Sequence, residues 1–557
     1  METHSTDPVR SLRASVERVA GALDAGAAAR LTLERPPKAE LGDYSTNAAM
    51  LLAPSVGSAP REVAERLRGG LESELGPAAE RIEVAGPGFL NLRLSDRWHR
   101  EAIASLLGAG DRIGSAVAEP AERVLVEFVS ANPTGPVTAA SGRGAAFGDS
   151  LARLLALAGH EVEREYYLND AGSQVGLFAA SIAARMRGAE PPEDGYGGDY
   201  VTELAAELGA EGVQAADLDA LARRGTDAMR LRIEATLERF GVRYDGWFSE
   251  RSLHEAGRVE AVVELLRERG HVYESEGATW FRASELGDDK DRVLVRADGE
   301  PTYFVADIAY HRDKLERGIE RMIDPLGADH HGYVPRMRAA ISALGADPDR
   351  YEAPIMQLVS IVEGGRRARM SKRRGEFVTL DELIDDIGVD AARFFMLGRS
   401  HDTTLDLDLE LARTASQENP VFYVQYAHAR IASILRKAVA EGAATPAGEG
   451  ADEVAISAAA IEERALDADA EPSERALVRR LLELPGEVAA AAERRAPHRI
   501  CAYAMATAAD FHAFYRDCRV VGGGEGTEAA RLGLAVAAKR TIARSLALVG
   551  VSAPERM

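Results

Sequence analysis

Apolar spacing changes rhythm twice along this chain, and the changes divide it into three stretches. In residues 1–115, helical periodicity over 9–25 and again over 60–75 is followed by strand-like alternation at 82–84 and 89–94, across Gly86-Pro87-Gly88. This predicts a small α+β unit, with a turn-rich segment at 42–47. From Arg123 to about Ser400 strands and helices alternate, the pattern of a Rossmann-like parallel-sheet α/β domain. Residues 124–129 predict a buried strand, Phe147, Leu151, Leu154, Leu155 and Ala158 share one face of the next helix, and 160–168 return as a strand. Residues 176–290 predict a helical insertion, followed by a hairpin turning at Asp298-Gly299, a helix, a strand near 322–326 and a helix from Tyr333. Beyond 401 the pattern is all-helical, interrupted at 442–452 and 522–526. The expected domains are therefore 1–115, 116–400 with its insertion, and 401–557.

Length agrees with this partition: 557 residues are too many for one core and suggest three or four domains. The net charge of −22 excludes a generally basic nucleic-acid binder, so any such contact needs local basic patches. Cys501 and Cys518 are the two cysteines and lack CxxC spacing, which argues for a reduced compartment without a disulfide framework or structural zinc. A polar start with no signal-peptide core, and no apolar run as long as a membrane span, lead to the expectation of a cytoplasmic protein without membrane association.

Two segments about 240 residues apart carry candidate chemistry. Val126-Glu127-Phe128-Val129-Ser130-Ala131-Asn132-Pro133-Thr134-Gly135-Pro136 reads as a strand entering a Pro/Gly turn and then a helix, whose N-terminus offers N–H groups and a dipole to an anion. Gly135 and Gly142 permit close approach there. Arg369-Met370-Ser371-Lys372-Arg373 lies in a loop where Arg366, Arg367, Arg369, Lys372, Arg373 and Arg374 crowd into nine residues. Taken singly, the first is also an ordinary βα turn and the second a solvated basic loop. The glycines at 522–526 lack the Lys-Ser/Thr of a phosphate loop and read as a helix connection. Asp329-His330-His331 lacks further ligand spacing, so no metal site is expected.

The pair of segments resembles the ATP site of class I aminoacyl-tRNA synthetases, and the wording resembles the arginyl-tRNA synthetase family in particular. The resemblance continues through 165–172 (Glu-Tyr-Tyr-Leu-Asn-Asp-Ala-Gly), 298–311, 327–333, 388–394 and 419–430, and so covers most of the chain. It implies a ligase that forms arginyl-adenylate from ATP and L-arginine, then arginyl-tRNA and AMP, with Mg²⁺ accompanying ATP and tRNA(Arg) required for the first step. It places ATP at Pro133, Gly135, Gly142, Met370, Ser371 and Lys372, with Lys372 neutralising the β- and γ-phosphates as pyrophosphate leaves. It places Tyr303 and Asp307 at the substrate guanidinium, Glu127 and Asn132 near the α-amino end, and His330 or His331 beside the substrate. A guanidinium has five donors and no acceptor, so carboxylate and phenolic oxygens suit it. The resemblance makes the C-terminal part an anticodon-binding domain, where Tyr423, Tyr426, Arg430, Arg436 and Lys437 are candidates for RNA contact, and the N-terminal part a further tRNA-contacting domain. A monomer is expected.

One element departs from the family pattern. Where His-x-Gly-His is usual, this chain has Thr138-Ala139-Ala140-Ser141. Thr138 and Ser141 keep hydroxyl donors and become catalytic candidates, but both imidazoles are lost, and removal of one transition-state donor typically costs about 10²–10³ in rate. The alternatives are an active ligase in which hydroxyls, backbone amides and Lys372 suffice, and a catalytically weak or inactive paralogue that still binds tRNA. The intact remainder favours the first. A small-molecule adenylyltransferase on the same fold is disfavoured by the helical C-terminal part.

Overall fold

The computed structural model describes residues 7–557 except 29, 117, 368–377, 447–453, 456–460, 462–464 and 466–468. Its centre is a five-stranded parallel sheet in the order Tyr351–Glu352, Arg321–Ile323, Arg123–Glu127, Glu161–Leu168, Gly246–Ser249. Val124, Leu125 and Val126 are buried on both faces, which is why their stretch reads as a continuous apolar run rather than an alternation. From Arg123–Glu127 the chain winds one way to Glu161–Leu168 and later returns on the other side as Arg321–Ile323, so strand order reverses at this strand. In such sheets ligands bind beyond the carboxyl ends of the strands at the reversal. The helix Ala139–Leu157 lies directly on the sheet because position 148 is glycine: a Cβ there would sit 2.1 Å from Cγ of Phe128.

The span expected to be a helical insertion differs in its second half. Helices Ser173–Met186, Asp199–Ala210 and Leu218–Arg239 do share a separate core around Phe178, Ile182, Leu204 and Leu221. The chain then re-enters the sheet at Gly246–Ser249 and forms an antiparallel sheet from Val272–Ser275, Ala278–Phe281 and Arg292–Val295. The edge strand has four residues, too few to display a period. Aromatic stacking fixes it instead, with Trp247 on Tyr166 at 4.4 Å and Phe248 on Tyr167 at 6.1 Å between ring centres. The hairpin at Asp298-Gly299 is reduced to a turn closed by one bridge, Val295 to Pro301.

The N-terminal unit is a four-stranded antiparallel sheet, Leu33–Glu34, Tyr44–Thr46, Phe89–Leu94, Ala79–Ala85, carrying helices Pro8–Gly21 and Pro60–Leu75. One of its strands, Tyr44–Thr46, occupies the segment expected to be a turn. The C-terminal part is built mainly of helices, among them Pro420–Ala440, Pro472–Leu482, His498–Asp517 and Glu525–Leu548. Among the described residues no helix is long and apolar enough to cross a membrane.

Candidate active site

The strand Arg123–Glu127 ends in strained backbone. Val129 and Ser130 adopt φ of 70° and 40°, a region L-residues avoid unless their surroundings enforce it. Three groups do so. The Tyr166 hydroxyl donates to the carbonyl of Ala131 and accepts from its N–H, both at 3.0 Å. The Tyr244 hydroxyl donates to the carbonyl of Phe128 at 2.9 Å, and Ser130 Oγ accepts from the N–H of Tyr167 at 3.1 Å. The turn that follows is covered by the insertion, whose Tyr200 donates to the carbonyl of Thr134 at 2.8 Å.

At the atypical element, Thr138 is the N-cap of the helix Ala139–Leu157. Its Oγ1 accepts from the N–H of Ser141 at 3.2 Å and lies 3.0 Å from Ser141 Oγ. Backbone bonds from Ala139 N–H to the Val378 carbonyl (2.9 Å) and from Leu380 N–H to the Val137 carbonyl (2.8 Å) join this turn to the residues just after the lysine loop. The first segment's turn therefore meets Val378 and Leu380, which follow the second segment in the chain. Met370, Ser371 and Lys372 themselves lie outside the described residues.

Two cavities adjoin here, sharing Asn132 and Gln174 in their walls. The smaller, of about 530 Å³, is lined by Glu127, Asn132, Tyr303, Asp307 and His330 from the sequence-derived set. The larger, of about 1220 Å³, is lined by Asn132, Gly135, Thr138 and Ser141. Pro133, Gly142 and His331 line neither. Gly142 is a packing glycine instead: a Cβ there would come within 2.9 Å of Leu380 and 3.0 Å of Met396, so its small size lets two helices cross. Ala140 is exposed at the start of its helix. Tyr303 stands at the mouth of the smaller cavity, 55% exposed, with its hydroxyl 3.2 Å from Ser173 Oγ.

Sequence reasoning missed two features of the smaller cavity. Glu250, 3% exposed, lines it beside Tyr167. Its carboxyl is pushed up to about 7 by burial and by the charges of Asp307 and Asp170. Burial also raises Asp307, although the Tyr333 hydroxyl donates to it. Two carboxyls that resist ionisation in one wall suit a cationic ligand; His254 approaches Glu250 only to 3.7 Å. A lone Glu in a Ser-Glu-Arg context gives no signal in sequence. The second feature is a buried ionic chain. Lys314 Nζ lies 2.7 Å from Glu127 Oε2 and 3.1 Å from Asp324 Oδ1. His311 Nε2 lies 3.1 Å from Asp324 Oδ2, and its Nδ1 2.8 Å from the carbonyl of Asp307. Burial raises Glu127 while Lys314 opposes it; burial also works to raise Asp324, but Lys314 and His311 outweigh it and hold that carboxyl low.

The RNA-contact candidates divide. The Arg430 guanidinium sits over the rings of Tyr426 and Tyr515 at 4.9 and 5.0 Å, and Tyr423 meets His512 edge-on at 5.0 Å. Arg436 turns inward to the Glu555 carbonyl at 3.3 Å, and Lys437 pairs along its helix with Glu441 at 3.7 Å.

A reversal-point cavity beside a helix N-terminus is the ligand site of a doubly wound α/β sheet, and residues 102–191 and 218–432 match the family described as tRNA synthetases class I (R), catalytic domain, which makes it a class I aminoacyl-tRNA synthetase site. Residues 10–94 match the arginyl tRNA synthetase N terminal domain and residues 424–557 the DALR anticodon binding domain. The chain belongs to the arginyl-tRNA synthetase family. It is 45% identical to the arginine–tRNA ligase of Carboxydothermus hydrogenoformans, over 98% of this chain and 97% of that one. It is 46% identical to the arginine–tRNA ligase of Frankia alni, over 96% of each. It resembles the solved structure of Thermus thermophilus arginyl-tRNA synthetase with a TM-score of 0.75 at 26% identity, covering 98% of this chain and 100% of that one.

Proposed function

We infer that this chain is an arginine–tRNA ligase that uses ATP, and we assign its steps to named groups as follows. The guanidinium of L-arginine occupies the smaller cavity against Asp307, Glu250 and Tyr303, while Glu127 and Asn132 meet the α-ammonium and His330 stands at the rim. The paired buried carboxyls Asp307 and Glu250 carry this reading, because a donor-only planar cation satisfies both. ATP enters the larger cavity with its Mg²⁺. A carboxylate oxygen of arginine attacks the α-phosphorus, the bond to the bridging oxygen breaks, and pyrophosphate leaves. Charge gathering on the phosphates is met by helix N–H groups, Ser141 and Lys372. A ribose hydroxyl at the tRNA 3′ end then attacks the adenylate carbonyl and AMP departs.

Tyr423, Tyr426 and Arg430 form the better part of an RNA surface, a cation lying between aromatic rings that bases can stack on. The working division of the chain is 1–115, 116–400 and 401–557, except that the strand Leu405–Asp408, in the stretch expected to be all-helical, pairs back with Val359–Glu363 and goes with the catalytic part, and the protein acts as a cytoplasmic monomer. Aminoacylation with radiolabelled arginine and tRNA(Arg), with and without tRNA in a pyrophosphate-exchange assay, tests the whole reading. Charging well above background is the expected result; tRNA binding without charging would identify a lapsed paralogue.

A further inference from the structure

Lys314 has no part in the steps above, yet it is a fully buried cation behind the wall of the smaller cavity, against the lining residues Glu127, Tyr310 and Asp324. Its ammonium is held on three sides: Glu127 at 2.7 Å, Asp324 at 3.1 Å, and the Tyr310 ring, whose centre is 4.4 Å away. Tyr310 is itself fixed by donating to Glu165 at 2.6 Å. Through Asp324 and His311 the same chain of contacts ends on the backbone of Asp307. One buried path thus joins the Glu127 carboxylate to the backbone of Asp307, the residues assigned above to the two ends of the amino acid. Desolvating such a cluster is expensive, and well-packed apolar residues of equal volume would serve folding as well or better. Stability alone therefore gives this cation no reason to be here.

We propose that Lys314 is a positioning residue for the α-ammonium of arginine: it holds Glu127 as an anion by one oxygen and leaves the other to the cavity. The inference rests on the reading of Glu127 as the α-ammonium partner. The groups facing Glu127 are Lys314 and His311 from the helix Tyr303–Glu316, Asp324 beyond the neighbouring strand, and the hydroxyls of Tyr167, Tyr244, Tyr310 and Tyr351. Of these, burial being the larger influence, Lys314 is the chief opponent of protonation. Without it burial and the neighbouring Asp324 both push Glu127 towards its protonated form.

The test compares affinities of the full-length protein for L-arginine and for 5-guanidinopentanoic acid, which lacks only the α-amino group. In the ratio of the two, contributions from the guanidinium end cancel. Lys314→Met should weaken arginine about ten- to a hundredfold, the worth of a charge-assisted hydrogen bond, with much less change for the deaminated analogue. The ratio should stay flat between pH 6 and 8 in the wild type and climb with pH in the variant, as Glu127 regains its charge. If stranding Asp324 unfolds the protein, Lys314→Met/Asp324→Asn removes both charges and should give the same collapsed ratio. A wild-type ratio in a folded Lys314 variant, or equal weakening of both ligands, overturns the proposal. Glu127→Gln separates the two levels. If it collapses the ratio while Lys314→Met does not, only the role of Lys314 falls; if it leaves the ratio intact, Glu127 does not meet the α-ammonium and both fall.

Discussion

Thr138 and Ser141 stand where the family usually has histidines, and the structure gives them unequal freedom. The Thr138 hydroxyl already accepts from the N–H of Ser141 as a helix cap, whereas the Ser141 hydroxyl has only the 3.0 Å contact with Thr138 Oγ1, and both residues line the larger cavity. Thr138→Val should therefore lower stability by about 1 kcal/mol in denaturant unfolding, the usual worth of a lost cap. Ser141→Ala should leave unfolding unchanged and slow adenylate formation by about tenfold or more. A normal rate in both variants would assign phosphate stabilisation to backbone amides and the lysine loop. In the arginine pocket, Asp307→Asn replaces an acceptor-only anion by a group with donors facing donors. It should raise KM for arginine by about a hundredfold and leave tRNA affinity nearly unchanged; equal loss of both would mark a folding role. Glu250 adds a pH effect. With its carboxyl at about 7, its neutral form contributes stability to the free fold that is lost as pH rises through that value. A guanidinium favours the anion, so arginine affinity should increase from pH 6 to 8 with release of protons, and Glu250→Gln should flatten that dependence in calorimetry.

At the scale of elements, the regular ones were legible because their burial is periodic. The helix Pro60–Leu75 and the strand Phe89–Leu94 fall where apolar spacing places them. What escaped was held by contacts distant in sequence. The four-residue strand at 246–249 owes its place to tyrosines 81 residues earlier, and Glu250, which follows it, was unreadable for the same reason. Tyr303 and Asp307 entered through the family resemblance of the stretch 298–311, not through spacing, whereas Gly142 looked like a phosphate contact because glycine spacing cannot distinguish close approach to a ligand from close approach of two helices. The lysine loop leaves the strand Val359–Glu363, which pairs with Leu405–Asp408. Arg143, buried in the helix Ala139–Leu157, donates to the carbonyls of Gln357, Ser400 and Thr403 and so anchors the base of this pair to the helix that starts at Thr138. A loop with so firm a base can act on charge that develops late. Lys372→Ala should lower the maximal rate of adenylate formation more than it raises KM for arginine; an unchanged rate would remove the loop from the chemistry.

Across the whole molecule, arginines join the parts. Arg393, with no exposed surface, donates to the carbonyls of Val549 (2.9 Å) and Phe240 (3.0 Å) and to Asp149 (2.5 Å), linking the C-terminal helices, the insertion and the helix Ala139–Leu157. Gly550 must be glycine beside it: its φ is 68° and a Cβ would come within 2.2 Å of the guanidinium. Arg100 in the helix Asp96–Ala109 reaches Asp469 and Glu474, and Arg531 reaches the same Glu474. Arg393→Met should destabilise the protein by about 3–5 kcal/mol, because it strands Asp149 in the interior. A loss below about 1 kcal/mol in chemical unfolding would show that Arg153, which also pairs with Asp149, suffices.

The left-handed pair Val129–Ser130 has a consequence for the order of folding. Its restraints come from Tyr166 and Tyr244, and Tyr166 is braced by Trp247, more than 110 residues downstream of the turn. Closing so long a loop is slow compared with forming local helix. Until the strand Gly246–Ser249 docks, the turn lacks the Tyr244 bond and the brace on Tyr166, and keeps only the contacts of the strand Glu161–Leu168. Regain of adenylate-forming activity after dilution from denaturant should then lag the return of helical circular dichroism, so that a nearly folded chain is not yet an enzyme.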